Sequence, residues 1–201
     1  MSTPEMGIEP GPDGKPRCWW SLSAAEYVDY HDNEWGRPLH GEVGLYERLV
    51  LEAFQSGLSW LTILRKRENF RRAFDGFEIE RVAAYGDKDV ARLLADAGIV
   101  RNRAKIDAAV VNAKAVLALQ EEYGSFSRYL WQFVEGKPLQ PRRAGLRDVP
   151  ARTEVSDALA ADLKKRGFKF VGTTIMYAFM QAVGMVNDHA RDCFRYKALR
   201  K

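Results

Sequence analysis

The sequence predicts an all-α fold. Apolar residues recur at helical spacing along most of the chain, for example at positions 45, 46, 49, 50, 53 and 54. Few segments alternate apolar and polar residues with the period of two that marks a strand. The 201 residues include 46% hydrophobic and 29% charged residues, a composition typical of globular proteins that argues against collagen-like and disordered chains.

The segment 1–16 precedes the first helical pattern and is polar, with several prolines and glycines. We expect it to form a flexible leader. It lacks the apolar core of a signal peptide, and no apolar run approaches the roughly 20 residues that a bilayer span requires. The sequence therefore predicts a cytoplasmic protein without membrane contact.

The first helix is predicted to begin at Ser23, whose hydroxyl would cap it, with Glu26 completing a capping box three residues later. The second helix covers the apolar positions between 45 and 54, and Gly57 follows as a helix end signal. Both predictions use local signals only, so they place the helices without saying what the helices pack against.

Shorter helical patterns and one long one follow in the rest of the chain. The predicted helices cover 59–73, 79–84, 88–96, 101–119, 126–135, 156–166 and 172–183. Thr153 or Ser156 would cap the helix at 156–166. The segment 136–153 contains three prolines and two glycines, which predicts a loop.

Charge is distributed unevenly along the chain. Residues 1–100 hold 12 Lys and Arg against 17 Asp and Glu, a balance of −5, whereas residues 101–201 hold 19 against 10, a balance of +9. Such asymmetry indicates an anionic partner for the second half, such as nucleic acid. The alternative is a basic surface without a specific partner.

Cysteine and histidine are scarce, yet four of the five form two compact pairs. Twelve residues separate Cys18 from His31, and three separate His189 from Cys193, a spacing that puts both side chains on one helix face. A Cys₂His₂ set suits tetrahedral Zn²⁺, and four protein ligands would leave no position for an activated water, so the ion would be structural. The alternatives are free buried cysteines with ordinary histidines, or a disulfide, which a cytosolic protein disfavours.

Aromatic residues crowd the stretch 19–35, and Trp60 follows soon after. Tyr27 and Tyr30 are three residues apart and would share a helix face. Aromatic faces can stack on a nucleobase or hold a cation, although core packing is the simpler explanation. Glu52 is expected at the edge of its helix's apolar stripe, where it would either accept a hydrogen bond from a substrate amine or face Arg48 in solvent.

Several of these residues belong to longer motifs. They are YHDNEWG at 30–36, LEAFQSGLSW at 51–60, ILRKRENF at 63–70, DAGIVRNRAKI at 96–106 and KRGFKFVGTT at 165–174, within a match over 156–189. Together they make the chain resemble the DNA-3-methyladenine glycosylase I family from Cys18 to Cys193. Trp19 departs from the pattern because a smaller residue is expected there, and the leader is longer than expected.

The resemblance implies an all-α helix-hairpin-helix glycosylase fold and a structural Zn²⁺ that joins the N- and C-terminal segments. The implied zinc ligands are Cys18, His31, His189 and Cys193. The implied pocket residues are Glu52 as the catalytic group and Tyr30, Trp60, Tyr27, Trp20 and Trp35 around the base. The expected divisions are the leader 1–16, a helical glycosylase domain 17–194 and a basic tail 195–201.

The resemblance also implies an enzyme that removes 3-methyladenine from alkylated double-stranded DNA, and we expect it to act as a monomer. No lysine stands out as the nucleophile that lyase chemistry needs, so the sequence predicts a monofunctional hydrolase. Because a base inside a duplex is unreachable, the nucleotide would be flipped into the pocket. A hairpin at 97–99 would bind a phosphate through backbone N–H groups. The residues expected to contact DNA there are Gly98, Arg101, Arg103 and Lys105.

Three other functions stay open on the sequence alone. A non-catalytic zinc protein that binds nucleic acid would need no base pocket. A zinc hydrolase would need an open coordination position, which four good ligands argue against. A glycosylase for another alkylated base would share every motif.

Overall fold

The structure is a computed structural model, and it describes residues 7–200. Within that range a short β-hairpin precedes ten α-helices, so the fold is mostly helical but not all-α as predicted. The hairpin strands are β1 (Ile8–Pro10) and β2 (Pro16–Cys18). The helices are α1 (Ala25–Asn33), α2 (Glu42–Gln55), α3 (Trp60–Ala73), α4 (Ile79–Ala83), α5 (Asp87–Ala95), α6 (Arg103–Tyr123), α7 (Phe126–Trp131), α8 (Glu154–Lys165), α9 (Thr173–Ala182) and α10 (Phe194–Ala198).

Part of the expected leader forms the β-hairpin. Strands β1 and β2 pair antiparallel, with Ile8 opposite Cys18. Buried Arg17 fastens the hairpin to the domain, because its guanidinium bonds Asp13 within the hairpin and Asp32 of α1 at 2.7 Å. Strands of three residues are too short to show alternation, so the sequence pattern missed them. Residues 1–6 of the expected leader lie outside the described residues.

The predicted start of the first helix is wrong. Ala24 is the N-cap of α1, and it has no side-chain cap. The hydroxyl of Ser23 instead donates to the carbonyl of Trp20 at 2.8 Å and closes a 3-10 turn over Trp19–Ser23. Glu26 pairs with Arg65 of α3 at 2.8 Å. Both expected capping groups are therefore used by other contacts.

The core is built around α2, which packs against α3, α6, α7 and α9. Its side chains Leu45, Leu49 and Phe54 are at most 1% exposed. Phe54 meets Phe70 of α3 edge to face, with ring centroids 4.8 Å apart. This geometry is favourable for aromatic pairs. The central position of α2 brings every face of the helix near another element.

The other helices follow the sequence signals closely. Ser59 caps α3 by accepting from Thr62 N, and Thr153 caps α8 in a capping box with Ser156. The predicted helix at 126–135 ends as an α-helix at Trp131 and continues as a 3-10 turn to Val134. The loop predicted at 136–153 contains one 3-10 turn, Leu146–Asp148.

The expected basic tail at 195–201 is not separate from the domain. Helix α10 spans the proposed boundary, and Tyr196 is buried. The amide of Asn187 donates to the carbonyl of Tyr196 at 3.3 Å. An aromatic side chain within the basic run therefore anchors it to the domain. Among the described helices, none combines the length and apolar character needed to cross a bilayer.

Candidate functional site

The two predicted Cys–His pairs meet in one buried cluster. Cys18 ends β2, His31 lies on α1, and His189 and Cys193 flank the turn that leads into α10. One ligand atom from each residue lies within 4.8 Å of the other three, and all four residues are buried. The arrangement can hold a metal ion.

Four of the six distances between the ligand atoms are close to those of tetrahedral coordination. His189 Nδ1 lies 3.7 Å from each of the two cysteine sulfurs and 3.1 Å from His31 Nε2. The sulfur of Cys193 lies 3.4 Å from His31 Nε2. A tetrahedral ion with zinc–sulfur and zinc–nitrogen bonds of ordinary length separates its ligand atoms by about 3.3–3.8 Å.

Neighbouring acceptors set the tautomer of each histidine. Nδ1 of His31 lies 2.8 Å from an Asp32 carboxylate oxygen, and Nε2 of His189 lies 3.1 Å from the carbonyl oxygen of Trp35. Because these oxygens only accept, the facing nitrogens carry the protons and the other ring nitrogens present lone pairs to the cluster. Burial also lowers the pKa of His189, which favours the neutral, ligating imidazole.

The segment between α1 and α2 holds the cluster against α9. The N–H of Gly36 donates to the carbonyl of Gln181 at 3.0 Å. Gly36 has a φ of +76°, and a Cβ there would stand 3.0 Å from His189 Nε2. A side chain would therefore be strained by the backbone and crowd the imidazole, so this turn requires glycine.

A cavity of about 340 Å³ lies beside the cluster. Its walls come from residues 7–23, which we call the N-terminal arm, and from α1, α2, the start of α3 and α9. The loop after α7 completes them. The lining residues on which the site depends are Trp19, Trp20, Tyr27, Tyr30, Trp35, Glu52, Gln55, Trp60, Leu146, Gln181 and Asp188. Six of the eighteen lining residues are aromatic, and aromatic side chains suit a pocket for a flat ligand.

Glu52 is buried in the cavity wall rather than at the rim. It is 4% exposed, and burial raises the pKa of its carboxyl to about 8, although the Arg48 charge opposes the rise. The expectation of a half-buried position is therefore wrong, as is the alternative of a solvated Glu52. The predicted apolar stripe of α2 is present, but the other faces of the helix are buried as well, since residues 45–54 are all buried.

The aromatic side chains predicted for the pocket do come together. Tyr30 and Trp60 have ring centroids 5.4 Å apart, and Trp20 meets Trp35 at 5.1 Å and Tyr27 at 5.6 Å. The hydroxyl of Tyr27 accepts from Leu61 N at 2.9 Å, which fixes the N-terminus of α3. Tyr30 is buried, so its pKa is raised and its hydroxyl keeps its proton.

An ion cluster behind the pocket holds Tyr30 in place. The guanidinium of Arg48 lies 5.5 Å from the centre of the Tyr30 ring, a cation–π contact. Glu34 bonds both Arg48 and Arg67, the latter through two contacts at 2.7 and 2.8 Å. Glu34 follows the last residue of α1, and Arg67 belongs to α3. The cluster therefore joins three helices around the same wall.

The predicted hairpin lies between α5 and α6, and its residues have different roles. Arg101 and Arg103 are exposed, and Arg103 faces Asp107 at 3.7 Å. The N–H of Gly98 donates to Asp96 Oδ1 at 2.7 Å, so it is not free for a phosphate. Within residues 7–200 the N–H groups of Val100 and Arg101 have no hydrogen-bond acceptor.

Lys105 does not lie at the surface, and its prediction as a DNA contact is wrong. It is 7% exposed, and its Nζ donates to the carbonyls of Phe54 at 2.9 Å and Ser56 at 2.5 Å. Those carbonyls belong to the end of α2, where no helical N–H reaches them. Burial lowers the pKa of Lys105.

Sequence reasoning missed the pocket residues outside the N-terminal motifs. Asp188 lies in the wall with its side chain fully buried, and it accepts from Gln181 at 2.9 Å, from Tyr177 and from Arg143 at 3.2 Å. Asp188 directly precedes the predicted zinc ligand His189 in the chain, and this position could have identified it as a site residue. The turn carrying Leu146 offered none, because its proximity to the pocket arises from the long-range fold.

The chain is similar to known proteins over most of its length. A sequence profile described as Methyladenine glycosylase matches residues 20–196. The chain is 48% identical over 180 residues to DNA-3-methyladenine glycosylase 1 of Escherichia coli (strain K12). This alignment covers 90% of this chain and 96% of that protein. It is 46% identical over 177 residues to DNA-3-methyladenine glycosylase of Haemophilus influenzae, covering 88% and 96%.

A solved structure shares the fold. It is that of 3-methyladenine DNA glycosylase I from Staphylococcus aureus, described as showing the structural basis of 3-methyladenine recognition by that protein. Its TM-score to this chain is 0.86 at 38% sequence identity, over 89% of this chain and 95% of that one. The family that the motifs predicted is thus confirmed, and the chain belongs to the methyladenine glycosylase family.

Proposed function

We propose that this chain hydrolyses the N-glycosidic bond of 3-methyladenine flipped out of alkylated duplex DNA, freeing the base and leaving an abasic site. One observation carries the proposal: a buried carboxyl group, Glu52, shares an aromatic cavity with Tyr30 and Trp60. The relatives named above carry the name of this activity.

The pocket suits a flat, positively charged base. Methylation at N3 gives adenine a positive charge, and the faces of Tyr30 and Trp60 attract such a cation while they stack on its ring. The carboxyl of Glu52 is uncharged at neutral pH in the free protein, because burial raises its pKa to about 8. A cationic base beside it would lower that pKa again, so Glu52 would accept from the exocyclic amine as a carboxylate.

The charge of the base also explains how little acid catalysis the reaction needs. The methylated base leaves as a neutral molecule, so its glycosidic bond breaks without protonation of the ring. Among the described residues no lysine lines the cavity, and a lyase would need such an amine as its nucleophile. This supports a monofunctional hydrolase that transfers the sugar to water.

The Cys₂His₂ cluster fits Zn²⁺ in a structural role. The donors are two sulfurs and two imidazole nitrogens whose lone pairs face inward, and the set is fully buried. Four protein ligands leave no position for a substrate or an activated water. When bound, the ion would tie β2 and α1 to the segment before α10, and no step of the reaction would pass through it.

We assign α5, the turn 96–102 and α6 as the helix-hairpin-helix that binds the DNA backbone. Arg101 and Arg103 stand exposed beside it, and the free N–H groups of Val100 and Arg101 can face a phosphate. Such contacts position the protein without reading base sequence. Recognition of damage would then depend on the pocket.

The test is to incubate the protein with methylated duplex DNA and to chromatograph the released bases. Wild type is expected to release 3-methyladenine, and Glu52→Ala is expected to do so about 10–100 times more slowly, the loss typical of one hydrogen bond to a charged group. Glu47→Ala is the matched control, because Glu47 lies on the same helix, pairs with Arg71 and does not line the cavity.

Two results would contradict the proposal at different points. Equal rates and equal affinity for free 3-methyladenine in wild type and Glu52→Ala would remove Glu52 from its role. No released base from folded, metal-loaded wild type would reject the glycosylase activity. Release of other alkylated bases in preference to 3-methyladenine would reject the substrate.

A further inference from the structure

The loop between α7 and α8 concentrates positive charge. Residues 137–152 hold five Lys and Arg against a single Asp, a balance of +4, which equals the net charge of the whole chain. The basic residues are Lys137, Arg142, Arg143, Arg147 and Arg152. We call this segment the basic loop. Charge at this density is a feature of surfaces that bind a polyanion.

The basic loop forms part of the cavity wall. Gly145, Leu146 and Val149 line the cavity together with Glu52 and Trp60, although more than 80 residues separate the two groups in the chain. Leu146 is 41% exposed, so it lies where the cavity opens to solvent. Arg142 and Arg147 lie four residues before and one residue after Leu146 in the chain, so this turn brings both near the mouth of the pocket.

Contacts within the domain hold the basic loop in this position. The side chain of Arg143 donates to buried Asp188 at 3.2 Å, and its carbonyl accepts from Arg191 N at 2.8 Å. The carboxylate of Asp148 accepts from Ala144 N at 2.7 Å and closes the turn. Arg143 thus anchors the turn to the rest of the domain, and Asp148 holds the turn closed.

Two arginines of the basic loop are not used by these contacts. Arg142 and Arg147 are exposed, and neither has a carboxylate within 4.0 Å among residues 7–200. Arg152 differs because it faces Asp157 at 3.7 Å. Two free guanidinium groups therefore flank a fixed turn at the pocket mouth.

We propose that Arg142 and Arg147 bind backbone phosphates of the damaged DNA strand next to the flipped nucleotide. The inference rests on the proposed function, because a nucleotide whose base enters the cavity leaves its flanking phosphates at the mouth. Guanidinium groups match phosphate oxygens in a bidentate geometry. This contact is separate from the hairpin of α5 and α6, so the DNA is held at two places around the pocket.

The experiment measures binding to a duplex carrying one tetrahydrofuran abasic-site analogue over a range of salt concentrations. Each phosphate contact contributes about 0.9 to the slope of log affinity against log salt. The double variant R142A/R147A is expected to reduce that slope by about two and to weaken binding about tenfold or more at moderate salt. R142K/R147K retains the charges and is expected to keep most of the slope.

The double variant K164A/K165A is the matched control, since it removes the same charge from exposed positions on α8 that do not line the cavity. It is expected to keep the wild-type slope. Affinity for free 3-methyladenine is measured on every variant and is expected not to change, because a free base has no phosphate.

A wild-type slope in R142A/R147A, or an equal loss in the control, would overturn the proposal. A parallel loss of affinity for the free base would also overturn it, since the loop would then shape the pocket rather than contact DNA. Failure of the proposed function is distinguishable, because it appears as wild type releasing no base from methylated DNA. The binding slopes decide the role of the arginines in either case.

Discussion

At the scale of single residues, Glu52 lies one turn after Arg48 on α2, and both side chains are buried. No described residue donates a hydrogen bond to the Glu52 carboxyl, whereas Arg48 bonds Glu34. A carboxyl in such surroundings is held in its neutral form, which is why its pKa rises to about 8. Burial of this carboxyl in the cavity wall therefore lowers the free energy of unfolding of the free protein.

Replacement of Glu52 by glutamine is expected to stabilise the free protein at pH 8. The folded-state pKa of about 8 exceeds the ordinary value of 4.5, so the unfolded chain releases this proton first and the free energy of unfolding of wild type falls between those two pH values. Glu52→Gln lacks that dependence. Its advantage is expected to be on the order of a few kcal/mol at pH 8 and to shrink towards pH 5.

Denaturant unfolding at both pH values measures this difference. Glu47→Gln serves as the comparison, because the Glu47 carboxylate pairs with Arg71 and its loss is expected to stabilise nothing at pH 8. A difference between wild type and Glu52→Gln that is the same at pH 5 and pH 8 would show that burial does not control this group.

At the level of helices and turns, Lys105 connects the turn between α5 and α6 with the pocket. It lies on the first turns of α6, and its Nζ caps the carbonyls at the end of α2, just before the segment that leads to Trp60. Lys66 of α3 makes similar bonds to the carbonyls of Ala97 and Gly98, both at 3.2 Å. Two lysines thus fix the turn of α5 and α6 against α2 and α3.

The variant Lys105→Met is expected to lower the free energy of unfolding by about 2–4 kcal/mol, because it removes charged hydrogen bonds and leaves buried carbonyls without a donor. Lys66→Met is the control, since its ammonium is more exposed and its loss is expected to cost less. Urea unfolding of both variants gives the comparison. If Lys105→Met is as stable as wild type, the bonds to Phe54 and Ser56 do not hold the end of α2.

At the scale of the whole molecule, the Cys₂His₂ cluster joins the two ends of the described chain. Cys18 and His189 are 171 positions apart, yet their ligand atoms lie 3.7 Å from one another. The same contact closes one side of the pocket, because Cys18 and Trp20 line the cavity. The integrity of the base site therefore depends on the contact between the chain ends.

Removal of the Zn²⁺ proposed for this cluster is expected to destabilise the whole protein. A chelator should lower the unfolding temperature by on the order of 10 °C, since a bound ion stabilises only the folded chain and a few kcal/mol shift a domain of this size by that amount. Thermal unfolding with and without chelator, together with metal analysis, makes the measurement. Cys18→Ser is expected to unfold at the same temperature in both conditions, and a chelator effect on this variant equal to that on wild type would contradict the assignment.

Local patterns in the sequence were enough to locate most helices and to identify the residue types that could take part in catalysis or metal binding. Apolar spacing and the caps at Ser59 and Thr153 are local signals, because a helix is stabilised by residues three and four positions apart. The Cys–His pairs were visible because both residue types are scarce and each pair is compact in the chain. The helix face expected for His189 and Cys193 is absent, because both precede α10. The motifs supplied the aromatic side chains of the pocket, including Tyr30 and Trp60.

Which faces of these helices are buried by other parts of the chain became clear from the three-dimensional structure alone. The apolar stripe of α2 does not reveal that Glu52 is buried, nor does the charge of Lys105 reveal the carbonyls to which it donates. The place of Leu146 in the cavity and of the β-hairpin beside α1 arises from contacts between distant segments. Such contacts depend on packing of whole faces in three dimensions, which no local spacing of residues encodes.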